Sequence, residues 1–188
     1  MAQNSLQTIR DEHRTLGAML RALGKLIDNG PGDEPERYFD VLRATLFYID
    51  EFPERLHHPK ESQLLFPQLA QLAPEIHPVL ARLEQDHAGL ERAVRELQHL
   101  LLGWELVGES RRKRFEDAAQ RFLHQYISHM QLEDREVLPL AERVLKKADL
   151  AALDAAFASN CDPLSGKYPR DPMYDRLFTR IVMSAAAH

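Results

Sequence analysis

Two short runs carry the chemistry in this sequence, "HHPKESQLLFP" at 57–67 and "HMQLEDREVLP" at 129–139. Each sets a histidine four residues before a glutamate, His57–Glu61 and His129–Glu133, and each places a proline six residues after that glutamate, Pro67 and Pro139. Residues i and i+4 lie on one face of a helix about one turn apart, so imidazole and carboxylate would point to the same place. Upstream of each run stands a histidine within an apolar stripe: His13, 44 residues before His57, and His87, 42 residues before His129, each with leucine three residues on. The chain reads as a duplicated helical hairpin, with one histidine on the first helix and His-x-x-x-Glu on the second. Four imidazoles and two carboxylates converging from four helices suit iron, manganese or zinc better than calcium or magnesium. Two carboxylates able to bridge point to two metal ions.

The pattern has to be weighed against accident. With nine histidines and sixteen glutamates in 188 residues, about one His-x-x-x-Glu pair is expected by chance, and a third does occur at His87 and Glu91. Glu91 is read as the accidental one, because its equivalent in the first half is Gly17. A lone histidine in an apolar stripe is ordinarily a hydrogen-bonded core residue. Four at equivalent positions, two with a glutamate one turn on, exceed that reading, because burying charged groups without compensation carries a desolvation penalty of several kcal/mol each. A ferritin-like arrangement, marked by Glu-x-x-His, is the nearest competitor. Glu54–His57 and Glu84–His87 fit it, but they fall on the second and third helices, break the repeat and leave His13 and His129 without roles. His77, His99, His124 and His188 lie off the repeat and are expected at surface or capping positions. Tyr126, one turn before His129, reads as a core aromatic with a bonded hydroxyl.

Four helices must position these groups. Leu6, Ile9, Leu16, Leu20, Leu23 and Ile27 follow three- and four-residue steps, with His13 filling the gap, the mark of a helix that buries one face. "DNGPGDEP" at 28–35 is turn chemistry. A second helix is expected from about Glu36, with Phe39, Leu42, Leu46 and Ile49 inward and the same stepping arriving at Pro53 and His57. "QLAPEIHP" breaks it. A third carries Leu80, Leu83, Leu90, Val94, Leu97 and Leu101 with His87 in register, and "GWELVGES" at 103–110 is read as the next link. A fourth carries Phe115, Ala119, Phe122, Tyr126, His129, Glu133 and Val137. No segment reads as a strand, so the expected fold is all-α, an up-down-up-down four-helix bundle over 1–147. A C-terminal extension over 148–188 is expected to add helical segments at 148–160 and 171–185, packing on the bundle or at a subunit interface.

Composition narrows the function classes. The net charge of −5, with acids and bases interspersed, provides no basic patch for nucleic acid or an anionic membrane. No apolar stretch approaches the length of a membrane span, and the N-terminus has no signal-like run. A single cysteine, Cys161, excludes an internal disulfide framework and favours a reducing compartment, so a cytoplasmic location is expected.

With His13, "HHPKES", "EQDHAGL" and "HMQLEDREVLPLAE" in place, the chain resembles the hemerythrin-like, or HHE cation-binding, proteins over roughly 5–147. The tail "CDPLSGKY" is similar to the segment C-terminal to the bundle in bacterial members. The resemblance implies a non-haem di-iron centre, oxo- or hydroxo-bridged, spanned by Glu61 and Glu133, with His13, His57, His87 and His129 as terminal ligands. One departure stands out. The oxygen-carrying members use five histidines, two of them four residues apart on the third helix, and here Leu83 occupies the position four before His87. That argues against reversible oxygen carriage unless another residue substitutes. His58 is the expected substitute, since some members use adjacent residues on the second helix. His58 lies about 100° around a regular helix from His57, and Pro59 supplies a reason for the helix to distort.

The leading expectation is therefore a di-iron protein that binds or senses a small ligand such as oxygen or nitric oxide, or iron itself. The alternative is a di-iron oxidoreductase acting on peroxide or nitric oxide, or an iron donor for the repair of iron–sulfur centres. A third is a metal-stabilised scaffold with the last helix as a homodimer surface.

Overall fold

The first helix, α1 (Ser5–Asn29), buries Leu6, Ile9, Leu16, Leu20, Leu23 and Ile27 along one face with His13 among them. It stops where Gly30 turns to a φ of 70° and its N–H closes onto Leu26 O and Ile27 O, a left-handed cap that suits glycine. The computed structural model describes residues 5–159. The expected helix at 171–185, Cys161, His188 and the "CDPLSGKY" tail lie outside the described residues.

Helix α2 spans 35–72. It opens with Pro35 in its first turn, where the missing N–H removes nothing. Its regular part, Pro35–Ile49, turns Tyr38, Leu42, Leu46 and Ile49 inward. Phe39, expected inward, is instead half-buried, its ring 5.0 Å edge-on from Trp104. The helix then widens over Asp50–His57, where the His58 N–H reaches back five residues to Pro53 O. One regular turn, His58–Lys60, is followed by a second wide stretch, Glu61–Leu65, with the Phe66 N–H on Glu61 O. Phe66–Leu72 completes the rod.

A single 3-10 turn, Pro74–Ile76, leads into α3 (His77–Val107). This helix runs through most of the stretch expected to be a link. Trp104 is 2 % exposed and packs against Tyr38 and Phe115, so its burial carries the helix past Gly103. The break comes at Gly108, whose φ of 103° few other residues adopt.

Helix α4 spans 112–144: regular over Arg112–Leu132, wide over Glu133–Val137 with the Leu138 N–H on Glu133 O, then regular over Leu138–Val144. The three wide stretches share a cause. A proline ring collides with the carbonyl four residues back, and for Pro59, Pro67 and Pro139 those carbonyls belong to Arg55, Gln63 and Arg135, each inside a wide stretch. Such single wide turns in otherwise regular helices gather at functional sites.

Helices α1 to α4 form the up-down-up-down bundle, with α1 against α4, α2 against α3 and α3 against α4. A fifth helix, α5 (Lys147–Ala158), lies across the start of α1 and the middle of α2. The Ser5 N–H donates to Asp154 Oδ1 at 2.7 Å, and Leu153 and Phe157 are fully buried beneath α5.

The core divides in two. One apolar cluster runs from Leu16 and Leu20 to Trp104 and Phe122; the other runs from Leu6 and Ile9 to Leu69, Leu138 and Phe157. A fully buried leucine contributes about 2 kcal/mol, so both clusters favour closure of the bundle. Between them lies a layer of buried polar side chains from α1 to α4.

Candidate metal centre

That layer contains all seven residues singled out by the sequence: His13 from α1, His57, His58 and Glu61 from α2, His87 from α3, and His129 and Glu133 from α4. The two carboxylates sit at its centre, each 1 % exposed. Glu61 Oε1 lies 3.0 Å from His57 Nε2 and its Oε2 lies 3.6 Å from His87 Nε2. Glu133 Oε2 lies 3.3 Å from both His13 Nε2 and His129 Nε2, and its Oε1 lies 3.8 Å from His87 Nε2. Each glutamate thus faces histidines from both halves of the repeat.

Two groups of donor atoms close enough to share an ion emerge, His13–His57–Glu61 and His58–His87–His129–Glu61. The second owes its third imidazole to the wide turns of α2. On a regular helix neighbouring residues diverge by about 100°, yet His57 and His58 are both buried and flank the centre. His58 stacks on His87 with ring centres 4.1 Å apart and lies edge-on to His129 at 5.1 Å. Leu83, where the resemblance would place a fifth histidine, is instead a buried core residue.

Whether these residues fit a metal can be tested on the polar atoms that lack partners. His57 Nε2, Glu61 Oε2, His87 Nε2, both ring nitrogens of His129 and both oxygens of Glu133 are buried without a hydrogen bond. Proteins rarely leave such atoms unsatisfied, and here they gather in one spot and are nitrogen and carboxylate donors of the type iron or zinc takes. The donor set fits.

Outside the donors, four of the five imidazoles are held at Nδ1. The His57 N–H donates to Glu12 Oε2 at 2.6 Å, His13 to Asp134 Oδ1 at 2.9 Å, and His58 to Glu54 Oε2 at 3.0 Å; His87 Nδ1 pairs with Ser62 Oγ at 3.0 Å. A carboxylate on the far ring nitrogen fixes the tautomer and turns the other nitrogen toward a metal. His129 has no such partner among the described residues. Sequence reasoning misses Glu12, Asp134 and Ser62 in this role and reaches Glu54 only through the ferritin-like spacing. The structure gives Glu54 to His58, not His57, and leaves Glu84 exposed.

The local fields follow from this arrangement. Burial pushes His13 down, but Asp134 and Glu133 outweigh it and lift it to about 9. His57 is likewise held well above its ordinary value, with Glu61 and Glu12 overcoming burial. Burial wins at His58, joined by His87 and His57, and at His129, which it holds at about 3 despite Glu133. Burial and the facing Glu133 raise Glu61, whereas the surrounding histidines overcome burial and keep Glu133 well below the usual carboxylate range. Positive charge thus gathers on the His13–His57 side, and the side with three histidines stays neutral at His58 and His129.

A pocket opens beside His13, His57 and His58, walled by Leu16, Phe52, Pro53, Leu56, Tyr126 and Met130, with Glu12 and Tyr48 also at its edge. Its free volume, about 20 Å³, holds one or two water-sized molecules. Tyr126 is fully buried, as expected of a core aromatic, and its hydroxyl bonds Glu54 and comes within 3.4 Å of His58 Nε2. Phe157 of α5 meets the His57 ring edge-on at 5.6 Å and covers it from outside.

Residues off the repeat lie elsewhere. Glu91 pairs with Arg95 at 2.8 Å on the surface. His99 and His124 are exposed, and His77 Nε2 contacts Ala70 O at the end of α2. No helix among the described residues is long and apolar enough to cross a membrane.

Residues 4–141 match the family model of the hemerythrin HHE cation-binding domain. No individual curated protein matches the chain.

Proposed function

The chain belongs to the hemerythrin HHE cation-binding family, and we propose from that premise that its polar layer holds two iron ions and takes up a small ligand such as oxygen or nitric oxide. His13 and His57 would hold one ion and His58, His87 and His129 the other, with Glu61 and Glu133 placed between the two groups to supply carboxylate donors to them. The observation that carries this reading is the inequality of the two halves. The side with two histidines has one protein donor fewer, and both of its histidines line the pocket, which only His58 of the other three reaches.

An iron pair, when bound, supplies redox equivalents and a coordination position for a diatomic ligand. The chain supplies the rest. Glu12 and Asp134 orient the imidazoles of His57 and His13 so that Nε2 faces inward. Leu16, Phe52 and Leu56 keep bulk water from the pocket, whose small size admits diatomics and peroxide and excludes bulky substrates. The Tyr126 hydroxyl, bonded to Glu54 and 3.4 Å from His58 Nε2, ties the pocket wall to the second group of histidines. This buried phenol beside the site supports a second reading, in which peroxide or nitric oxide is turned over at this position.

The test is iron content and visible spectrum of the reduced protein under argon, then after oxygen or nitric oxide. Two irons per chain and a spectrum that changes with the added gas are expected. One iron or none after anaerobic loading would refute the reading, and steady consumption of peroxide or nitric oxide would select the enzyme over the binder.

A further inference from the structure

The repeat that relates the two histidine–glutamate pairs also relates their neighbours, and at two positions the halves differ in chemistry. His57 corresponds to His129, so His58 corresponds to Met130 and Glu54 to Tyr126. In the first half Glu54 and His58, one turn apart, form a bonded pair that sends an imidazole toward the ion held by the second half. The equivalent pair, Tyr126 and Met130, should send its side chains toward the ion held by His13 and His57. Both are buried and wall the pocket beside His13 and His57, but the Tyr126 hydroxyl turns to Glu54 and to His58 Nε2 at 3.4 Å, whereas the Met130 methyl reaches α1 at Gly17, one turn beyond His13.

We propose that Met130 is the counterpart of His58 and stands where a third histidine would close the coordination sphere, leaving room for a small ligand, while Tyr126, the counterpart of Glu54, is tied to Glu54 and His58 and fixes that wall of the pocket. This rests on the two-iron reading above. A thioether is a weak, soft ligand compared with imidazole and leaves hard iron accessible. Its flexible chain lets the pocket adapt to a small guest.

The experiment compares the iron-loaded wild type with Met130→His. Nitric oxide binding to the reduced protein is followed by visible absorption under argon, and iron loss by a chromophoric chelator. Met130→His should keep two irons, release them about tenfold more slowly and bind nitric oxide at least 100-fold more weakly. Met130→His with two irons and wild-type binding would overturn the proposal. Fewer than two irons in the wild type would instead remove the two-iron reading itself.

Should Met130→His fail to fold, the wild type decides. Limited hydrogen peroxide transfers one oxygen atom to a thioether, giving sulfoxide and water. In iron-loaded protein the sulfoxide should form at buried Met130 before half-buried Met19, and in zinc-loaded protein the order should reverse. Met19 reacting first in both would overturn the assignment.

Discussion

Protons and metal ions compete for the same nitrogens, and the structure says which ones. In the metal-free protein His13 titrates at about 9, because the Asp134 and Glu133 carboxylates on its two ring nitrogens outweigh its burial. At pH 7 its imidazole therefore carries a proton that a metal must displace from Nε2. Two units of pH below that value correspond to roughly 2.7 kcal/mol, about a 100-fold loss of affinity relative to a neutral imidazole. Affinity should climb about tenfold per unit between pH 7 and 8.5 from His13 alone, more steeply with His57, which is also raised, and His13's share should level off near pH 9. His129, held at about 3, has no proton to lose in this range. For folding of the metal-free chain the sign is opposite. His13 binds its proton more tightly folded than unfolded, so its contribution to stability is complete below pH 6.5 and is lost as pH rises through about 9. The assay is competition for cobalt(II) with a chromophoric chelator from pH 6 to 9.5 under argon. Ordinary histidines would level off soon after pH 6.5. That outcome, or a flat profile from 7 to 9, would refute the reasoning. Asp134→Asn should move the plateau to lower pH.

The carboxylates give a second set of expectations. Glu61→Ala or Glu133→Ala should lose both metal ions or leave a pair with altered coupling, because each faces histidines of both halves, whereas Glu91→Ala should keep full iron stoichiometry. Elemental analysis of the three variants, side by side, decides. Glu12→Gln, which leaves His57 Nδ1 without a carboxylate, should weaken metal affinity by roughly 10- to 100-fold, measured by the same chelator competition; an unchanged affinity would show that Glu12 does not support His57.

Which residues are legible in the sequence depends on the reach of their contacts. His13, His57, His87, His129, Glu61 and Glu133 are legible because duplication and helical spacing place them without knowledge of how helices cross. His58 requires knowing that α2 widens, and the prolines signal that, since Pro59, Pro67 and Pro139 each crowd a carbonyl inside a wide stretch. Trp104 is hidden by its glycine neighbour, because Gly103 reads as a breaker until the aromatic packing at that end of the bundle is seen.

The groups that hold the imidazoles are not legible, since their contacts run between helices, yet the repeat orders them too. The residue after each glutamate holds the single histidine of the opposite hairpin: Asp134 on α4 holds His13 on α1, and Ser62 on α2 holds His87 on α3. The residue before His13, Glu12, holds His57 on the partner helix of its own hairpin. The same rule would give His129 to Asp86, the residue before His87, and there it fails. Asp86 is one methylene shorter than Glu12. Its oxygens are engaged by Arg82 at 3.0 Å and by the amide of Gln125 at 3.4 Å, and Gln125 stands where the first half has Pro53, which has no side-chain donor. His129 Nδ1 is thus left without a partner among the described residues, and its imidazole, which has Glu133 at Nε2 but no carboxylate at Nδ1 to match Asp134 and Glu12, is the easiest of the three to deprotonate. The two halves of the repeat are unequal at three pairs of positions, Glu12 against Asp86, Pro53 against Gln125 and His58 against Met130.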